Sequence, residues 1–401
     1  MHIALIADVY PPLRSSGAVQ LRDLARELAV QGHKVTVLTP EPTLKRPWHV
    51  EQSGNVTLLR LRSFRTRDTN YIRRTLAELA MPYIMRRHFL KSPFAGQSFD
   101  GVVWYSPTIF FGPLVCWLKA QNHCRTYLIV RDIFPQWAFD MGLIKDGPIY
   151  RFLQKIADDQ YSVADVIGVQ TPGNLAFFKN RQPVTGRTEV LHNWLSPMPT
   201  KGCSIDISST RLAGRRIVIY AGNMGVAQGM SIVIDMAAAL QHDSSIGFIL
   251  VGRGADAKTL RADAESRNLD NILFFDEIDP DEIAGLYAQA HVGLVILDPL
   301  HTTHNIPGKF ISYMHGGLPT FAVVNPGNDI VALISENGVG FASAEREAVS
   351  LASSLTELLD SLSFDKAVQP ACKKLATALF SSSAAARQIV ASLDSSDEIP
   401  T

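Results

Sequence analysis

The chain has 401 residues, 46% of them apolar and 19% charged, and its formal net charge is zero. This is ordinary globular material, long enough for two domains that each bury a core. No run of 18 uninterrupted apolar residues offers a spanning helix. The four cysteines (Cys116, Cys124, Cys203, Cys372) lack C-x-x-C spacing, so neither a zinc site nor a disulfide framework is indicated.

The opening "MHIALIADVYPP" carries Asp8 within a short apolar run and has no basic segment before it, so no signal peptide is expected and a cytoplasmic location fits. Residues 2–7 read as a strand, followed by the loop "DVYPPLRSSGAVQ" and a helix with Leu21, Leu24, Ala25 and Leu28 on one face. "KVTVLTP" is the next strand. Ser16 and Gly17 stand at the helix start, where free amides and the dipole favour an anion or a sugar oxygen, or where they simply cap the helix.

From Arg60 to Lys91 nine basic residues, among them Arg73, Arg74, Arg86 and Arg87, face only Asp68 and Glu78, with "TLAELAMPYIM" interleaved. A basic amphipathic segment of this kind reads either as a contact with an anionic membrane surface or as a solvated helix. Nucleic acid is not expected as a partner, because no recognition motif accompanies the patch. Further on, the apolar run "LIV" ends on Arg131 and Asp132, a pair that is either a structural ion pair or part of a site at a strand end.

"NWLSPMPTKGCS", residues 193–204, has the prolines, glycine and lack of periodicity of a linker. It separates two halves of opposite charge: residues 1–192 hold 24 Lys and Arg against 15 Asp and Glu, and residues 193–401 hold 14 against 23. Such asymmetry suggests different partners for the two halves.

The strand, loop, helix rhythm restarts at "RIVIYAG" (216–222) and continues through "IGFILVGRG", "NILFFDEI" and "HVGLVIL". Alternating apolar strands and amphipathic helices imply parallel sheets covered on both faces. The expected architecture is therefore α/β, with two Rossmann-like domains facing each other across a cleft and ligands bound beyond the carboxyl ends of the strands. The domains are placed at 1–192 and 205–375, with a last helix at 376–393 packing back on the first domain and a frayed tail at 394–401.

In the second half, "YAGNMGVAQGM" (220–230) is rich in glycine, but its spacing differs from the dinucleotide G-x-G-x-x-G and no acid follows the next strand at the expected place, so a nicotinamide site is not the first choice. In "HTTHNIPGKFISYMHGG" Pro307 and Gly308 start a helix and Lys309 lies in its first turn. The amides of Asn305, Ile306 and Gly308 can then point at one anion, with Lys309 and His304 adding charge and donors and His301 nearby. A nucleotide diphosphate has the right size.

The order of these loops resembles the family 4 glycosyltransferases of the GT-B fold over essentially the whole chain. "YAGNMGVAQGM" is similar to that family's Gly-rich loop, "VGRGAD" to its V-G-x-G turn and "PGKFISYMHGGLPTF" to its donor-binding helix. More narrowly, "YSPTIFFGPLV", "RDIFPQWAFDMG", "HNIPGKFISYM" and "NPGNDI" resemble the O-antigen and capsule enzymes that transfer N-acetyl-L-fucosamine from UDP onto a polyprenyl-linked sugar.

The resemblance implies a UDP-sugar donor, a polyprenyl-diphosphate-linked saccharide acceptor, and peripheral attachment to the inner face of a bacterial cytoplasmic membrane. It implies a donor set of Ser16, Gly17, Gly222, Asn223, Gln228, Arg253, Glu277, His304, Asn305, Ile306, Gly308, Lys309 and Ser312.

Departures from the pattern bear on the donor. Where many members carry an Arg and a Lys in the Gly-rich loop, this chain has Asn223 and Gln228, and the family's E-x7-E pair falls on His304 and Ser312. Phosphate charge must then be met by Arg253, Lys309, His304 and helix amides.

No cofactor and no metal are expected, because no metal-binding acidic triplet is visible. Retention would use the leaving phosphate; inversion would need a base such as Asp132 or Asp8, with Arg131 beside it. Other readings are a different UDP-sugar transferase of this fold, a hydrolysing sugar-nucleotide epimerase, or a non-catalytic partner in polysaccharide assembly.

Overall fold

The computed structural model describes residues 1–394 except 14, 68, 107, 180, 182–183, 197–201, 226–227 and 300–305. The chain forms two compact units, residues 1–194 with 382–401, and residues 195–381.

In the first unit the strands are β1 (His2–Ile6), β2 (Lys34–Glu41), β3 (Trp48–Ser53), β4 (Val56–Arg62), β5 (Gly101–Ser106), β6 (Arg125–Val130), β7 (Val166–Val169) and β8 (Arg187–Val190). They form one sheet in the order β3-β4-β2-β1-β5-β6-β7-β8, parallel except for β3, which pairs antiparallel with β4. Helices α1 (Ser16–Val30), α2 (Tyr71–Phe89), α3 (Gly112–Asn122), α4 (Gln136–Asp140), α5 (Pro148–Val163) and α6 (Pro172–Lys179) connect them.

Strands β5 and β6 are apolar almost throughout because the sheet is covered on both sides. Trp104, Leu128 and Val130 face a core shared with Met81, Met85 and Phe89 of α2. Val103, Tyr127 and Ile129 face the opposite core, with Leu21, Leu24 and Leu28 of α1.

The second unit has β9 (Arg216–Ala221), β10 (Ile246–Val251), β11 (Ile272–Phe275), β12 (Val292–Ile296), β13 (Thr320–Val323) and β14 (Gly340–Ser343), all parallel, in the order β11-β10-β9-β12-β13-β14. Its helices are α7 (Ser231–Ala239), α8 (Ala257–Ser266), α9 (Ile283–Tyr287), α10 (Gly308–Gly316), α11 (Ile330–Asn337), α12 (Ala348–Phe364) and α13 (Val368–Leu379). No helix among the described residues is long and apolar enough to cross a membrane.

The ends of the units differ from the sequence reading. The interdomain segment does not begin at 193, because Trp194 is fully buried in the first unit. Its indole donates to the Gln20 carbonyl at 2.8 Å. The helix expected at 376–393 is two helices interrupted near Phe380: α13 stays with the second unit, and α14 (Ser382–Asp394) belongs to the first. There Gln388 donates to the Val190 carbonyl at 2.8 Å, and Ile389 enters the α1 side of the core.

In each sheet the order reverses beside the first strand, between β1 and β5 and between β9 and β12. Connections leave to opposite sides there and open a crevice outside the carboxyl ends. In the second unit glycine builds this edge. Gly252 has φ 138°, and a Cβ on it would stand 2.1 Å from the Gly222 carbonyl oxygen. Gly214, at φ 77°, has open space around it.

Gly252→Ala should therefore cost on the order of 3 kcal/mol, and Gly214→Ala only about 1 kcal/mol. Urea denaturation, followed through the transition that reports the second unit, measures both.

Candidate active site

At the carboxyl edge of the second unit's sheet, the chain leaves β9 through Gly222, at φ 143°. A Cβ on Gly222 would lie 2.7 Å from the Lys309 Cε, so the bare backbone is what admits the lysine stem. Lys309 Nζ rests 4.6 Å from the centroid of the Tyr220 ring. No carboxylate among the described residues pairs with it, and burial alone pushes the ammonium down to about 8. A desolvated cation held on an aromatic face without a counter-ion is poised to receive an anion.

Lys309 is the second residue of α10, whose N-cap, Pro307, has no side-chain cap to satisfy the first amides. Helix dipole and ammonium thus reinforce each other. His301, His304 and Asn305 lie outside the described residues. Ile306 contributes no side chain to such a site, since it is buried in the core beneath the helix. Ser312 is hydrogen-bonded to the buried Tyr287 hydroxyl.

The other donor-set residues mostly hold one another. Gln228 Oε1 accepts from the Gly225 amide at 3.0 Å and from Asn223 Nδ2 at 3.4 Å, closing the Gly-rich loop. Arg253 and Glu277, in the loops after β10 and β11, form an exposed ion pair at 3.0 Å. The pair is solvent-exposed and therefore weak. Arg346 was not singled out in the sequence, yet it donates to the Leu297 carbonyl at 2.8 Å and to the Gly229 carbonyl at 2.9 Å, tying together the chain after β12 and the chain before α7.

The first unit presents a second polar group at its own carboxyl edge. Asp8, just past β1, has one buried carboxylate oxygen with no hydrogen-bond partner among the described residues, and the other lies 3.8 Å from Arg67. Burial raises its pKa, against the pull of Arg67 and Arg74. Glu78 is raised by burial as well, and Arg74 holds it at 2.9 Å. A carboxylate lifted towards neutral pH has the property required of a general base.

Arg131 differs from expectation: it is 5% exposed, donates to the Leu191 carbonyl at 2.8 Å and lies 4.6 Å over the Trp194 ring. These contacts fix its position by packing within the first unit. Asp132 beside it is half-buried. Burial lowers Arg131 to about 10, which leaves it charged at neutral pH.

Ser16 and Gly17 do not cap α1; Ser15 does, accepting from the Ala18 amide at 3.3 Å. Gly17 instead makes room for Tyr105, whose hydroxyl would be 2.9 Å from a Cβ there. Of the four arginines expected at a membrane, Arg74 is paired with Glu78 and Arg86 stacks 5.0 Å over Trp117. Arg73 and Arg87 make no ion pair among the described residues. Arg60, also counted in that basic run, belongs to the sheet, where it holds Glu51 at 2.6 Å.

Two parallel-sheet units, each with polar groups gathered at a switch-point edge, define the architecture of a GT-B glycosyltransferase. Residues 17–194 match the "Glycosyl transferase 4-like domain" family and residues 205–374 the "Glycosyl transferases group 1" family, and the chain belongs to these glycosyltransferase families. It is 25% identical over 239 residues to the "Probable glycosyltransferase WbjE" of Pseudomonas aeruginosa, covering 58% of this chain and 59% of that protein, which is less than two thirds of its length. It is also 25% identical over 294 residues to the "Putative colanic acid biosynthesis glycosyl transferase WcaI" of Escherichia coli strain K12, covering 68% and 71%.

Among solved structures, a sucrose-phosphate synthase from Thermosynechococcus elongatus superposes with a TM-score of 0.72 at 17% identity, over 97% of this chain and 98% of that one. WaaG superposes with 0.63 at 15%, over 98% and 99%. These likenesses establish the fold.

The lowered Lys309 gives a measurable signature. Its folded value, about 8, lies below the ordinary 10.5, so its contribution to stability rises with pH across that window as the buried charge is lost. A bound diphosphate favours the charged amine, so binding of uridine diphosphate at pH 8.5 should take up a proton, and affinity should fall as pH rises through 8. Calorimetry in buffers of different ionisation enthalpy detects the uptake, which Lys309→Met should abolish.

Proposed function

We propose that the protein transfers a sugar from a UDP-sugar to a polyprenyl-diphosphate-linked saccharide during assembly of a bacterial surface polysaccharide, working at the inner face of the cytoplasmic membrane. The observation that carries this reading is the buried Lys309 ammonium at the N-terminus of α10, stacked on Tyr220 beside Gly222 with no carboxylate paired to it among the described residues. That arrangement suits the charge that grows on a departing nucleotide diphosphate. The polysaccharide context is supported by the colanic acid relative.

The donor sugar we assign is N-acetyl-L-fucosamine, on the strings at 105–115, 131–142, 304–314 and 325–330 that resemble enzymes of that specificity. Lys309 and the α10 amides hold the diphosphate. If the reaction inverts the anomeric centre, Asp8 and Asp132 are the candidate bases, and Asp8 is favoured by its raised pKa and its unpartnered oxygen. No metal or cofactor takes part in this scheme. The exposed cation Arg87 meets the anionic leaflet.

The test is incubation with polyprenyl-diphosphate-linked GlcNAc and a panel of UDP-sugars in the presence of EDTA, with products read by mass spectrometry and the anomeric coupling by NMR. Transfer of an N-acetyl-6-deoxyhexosamine is expected. Lys309→Ala should raise the donor KM by roughly tenfold to a hundredfold, the range of one charge-assisted contact, with native-like melting. UDP binding without turnover on any acceptor would instead favour the non-catalytic assembly role.

A further inference from the structure

Helix α2 is apolar on two opposite sides. Ala77, Met81, Met85 and Phe89, spaced by four, fill the core of the first unit. Ile72, Leu76 and Tyr83 form a second row that points outward, each more than 60% exposed. Among the described residues only the first row is packed into the core, which leaves the second open to something outside the fold.

Two hollows lie along that outer row. One, of about 310 Å³, is walled by Leu79, Pro82 and Tyr83 of α2, Pro113 of α3, and Ile156 and Val163 of α5. Its size falls within the range of ligand clefts, about 300–1,000 Å³. Its floor forms where α3 and α5 close on each other: a Cβ on Gly112 would stand 3.2 Å from the Gln160 Cα. The other hollow, of about 430 Å³, lies at the start of α2 and is lined by Phe64, Arg65, Thr69, Arg73 and Leu76. Leu76 in one hollow and Leu79 and Tyr83 in the other stand at i, i+3 and i+7, so they share a helix face. Arg73 and Tyr83 are ten residues, about 15 Å, apart along the axis.

An occupant that satisfies both hollows has an anionic head for Arg65 and Arg73 and a narrow hydrocarbon chain for the slot between the helices. We propose that this stripe binds a single prenyl diphosphate, with the diphosphate at Arg65 and Arg73 and the prenyl tail in the α2–α3–α5 groove. Walls from three helices suit one chain better than a flat bilayer surface. The proposal rests on the lipid-linked acceptor named above and gives it a place on the protein.

Cys116 lines the groove and is exposed, so it serves as an internal reporter. In the full chain carrying Cys124→Ser and Cys203→Ser, with Cys372 buried, the rate of Cys116 alkylation by a maleimide is measured. Farnesyl diphosphate at ten times its Kd should slow alkylation about tenfold, as the free fraction falls, while inorganic diphosphate should leave the rate unchanged. Arg73→Gln, at an exposed position, should keep the ligand-free rate and weaken the farnesyl diphosphate Kd about threefold.

Slowing by inorganic diphosphate alone, slowing only by phosphatidylglycerol vesicles, or slowing by none of the three would each overturn the tail site. The readout does not depend on turnover. Protection without sugar transfer would sink the functional reading and keep the groove, and transfer without protection would do the reverse.

Discussion

In both sheets the connections part company at the first strand, β1 or β9, because its two neighbours are reached by crossovers running in opposite directions. No helix can then cover the carboxyl end of that strand, and the backbone there must be satisfied by loops or by a ligand. The central groups of the candidate site depend on this constraint. Asp8 follows β1, Gly222 follows β9, and α10 begins beyond the end of β12, the strand on the far side of the switch point.

The second unit fills its edge with backbone. Gly222, Gly252 and Gly254 all take positive φ, and the Met224 amide donates to the Arg253 carbonyl at 2.7 Å, so two loops run against each other with no side chains between them. That close approach leaves space for one long side chain, Lys309, on Tyr220. The cost of keeping an ammonium there is visible in its lowered pKa, and a bound anion relieves it. The departures in the Gly-rich loop fit this economy: Asn223 and Gln228 shape the loop by hydrogen bonds where other sequences place cations.

The first unit treats charge differently. Its basic run does not act as one patch, since Arg60 is fixed in the sheet, Arg74 holds Glu78 beside Asp8, and Arg86 lies on Trp117. What stays outward on α2 is a mixed row of aliphatic and aromatic side chains with Arg73 beside it. The link from α2 through Arg74 and Glu78 to Asp8 places the outer helix and the switch-point carboxylate in one electrostatic network.

The sequence by itself determined the two alternating α/β halves, because continuous apolar strands of five or six residues between amphipathic helices have no other way to be buried. It also placed Lys309 in the first turn of a helix, since a proline just ahead of an amphipathic run favours a helix start. Local pattern did not carry partnership between distant residues. That Arg131 would stack on Trp194, 63 positions away, was set by the packing of β6 against the chain after β8. That Ser15 and not Ser16 would cap α1 depended on where Tyr105 demanded a glycine. Tyr220 read as one more strand residue until α10 placed an ammonium on its face. Burial, counter-ions and desolvation are properties of the assembled units, and only the tertiary structure decided which charges were spent on the fold and which were left for a ligand.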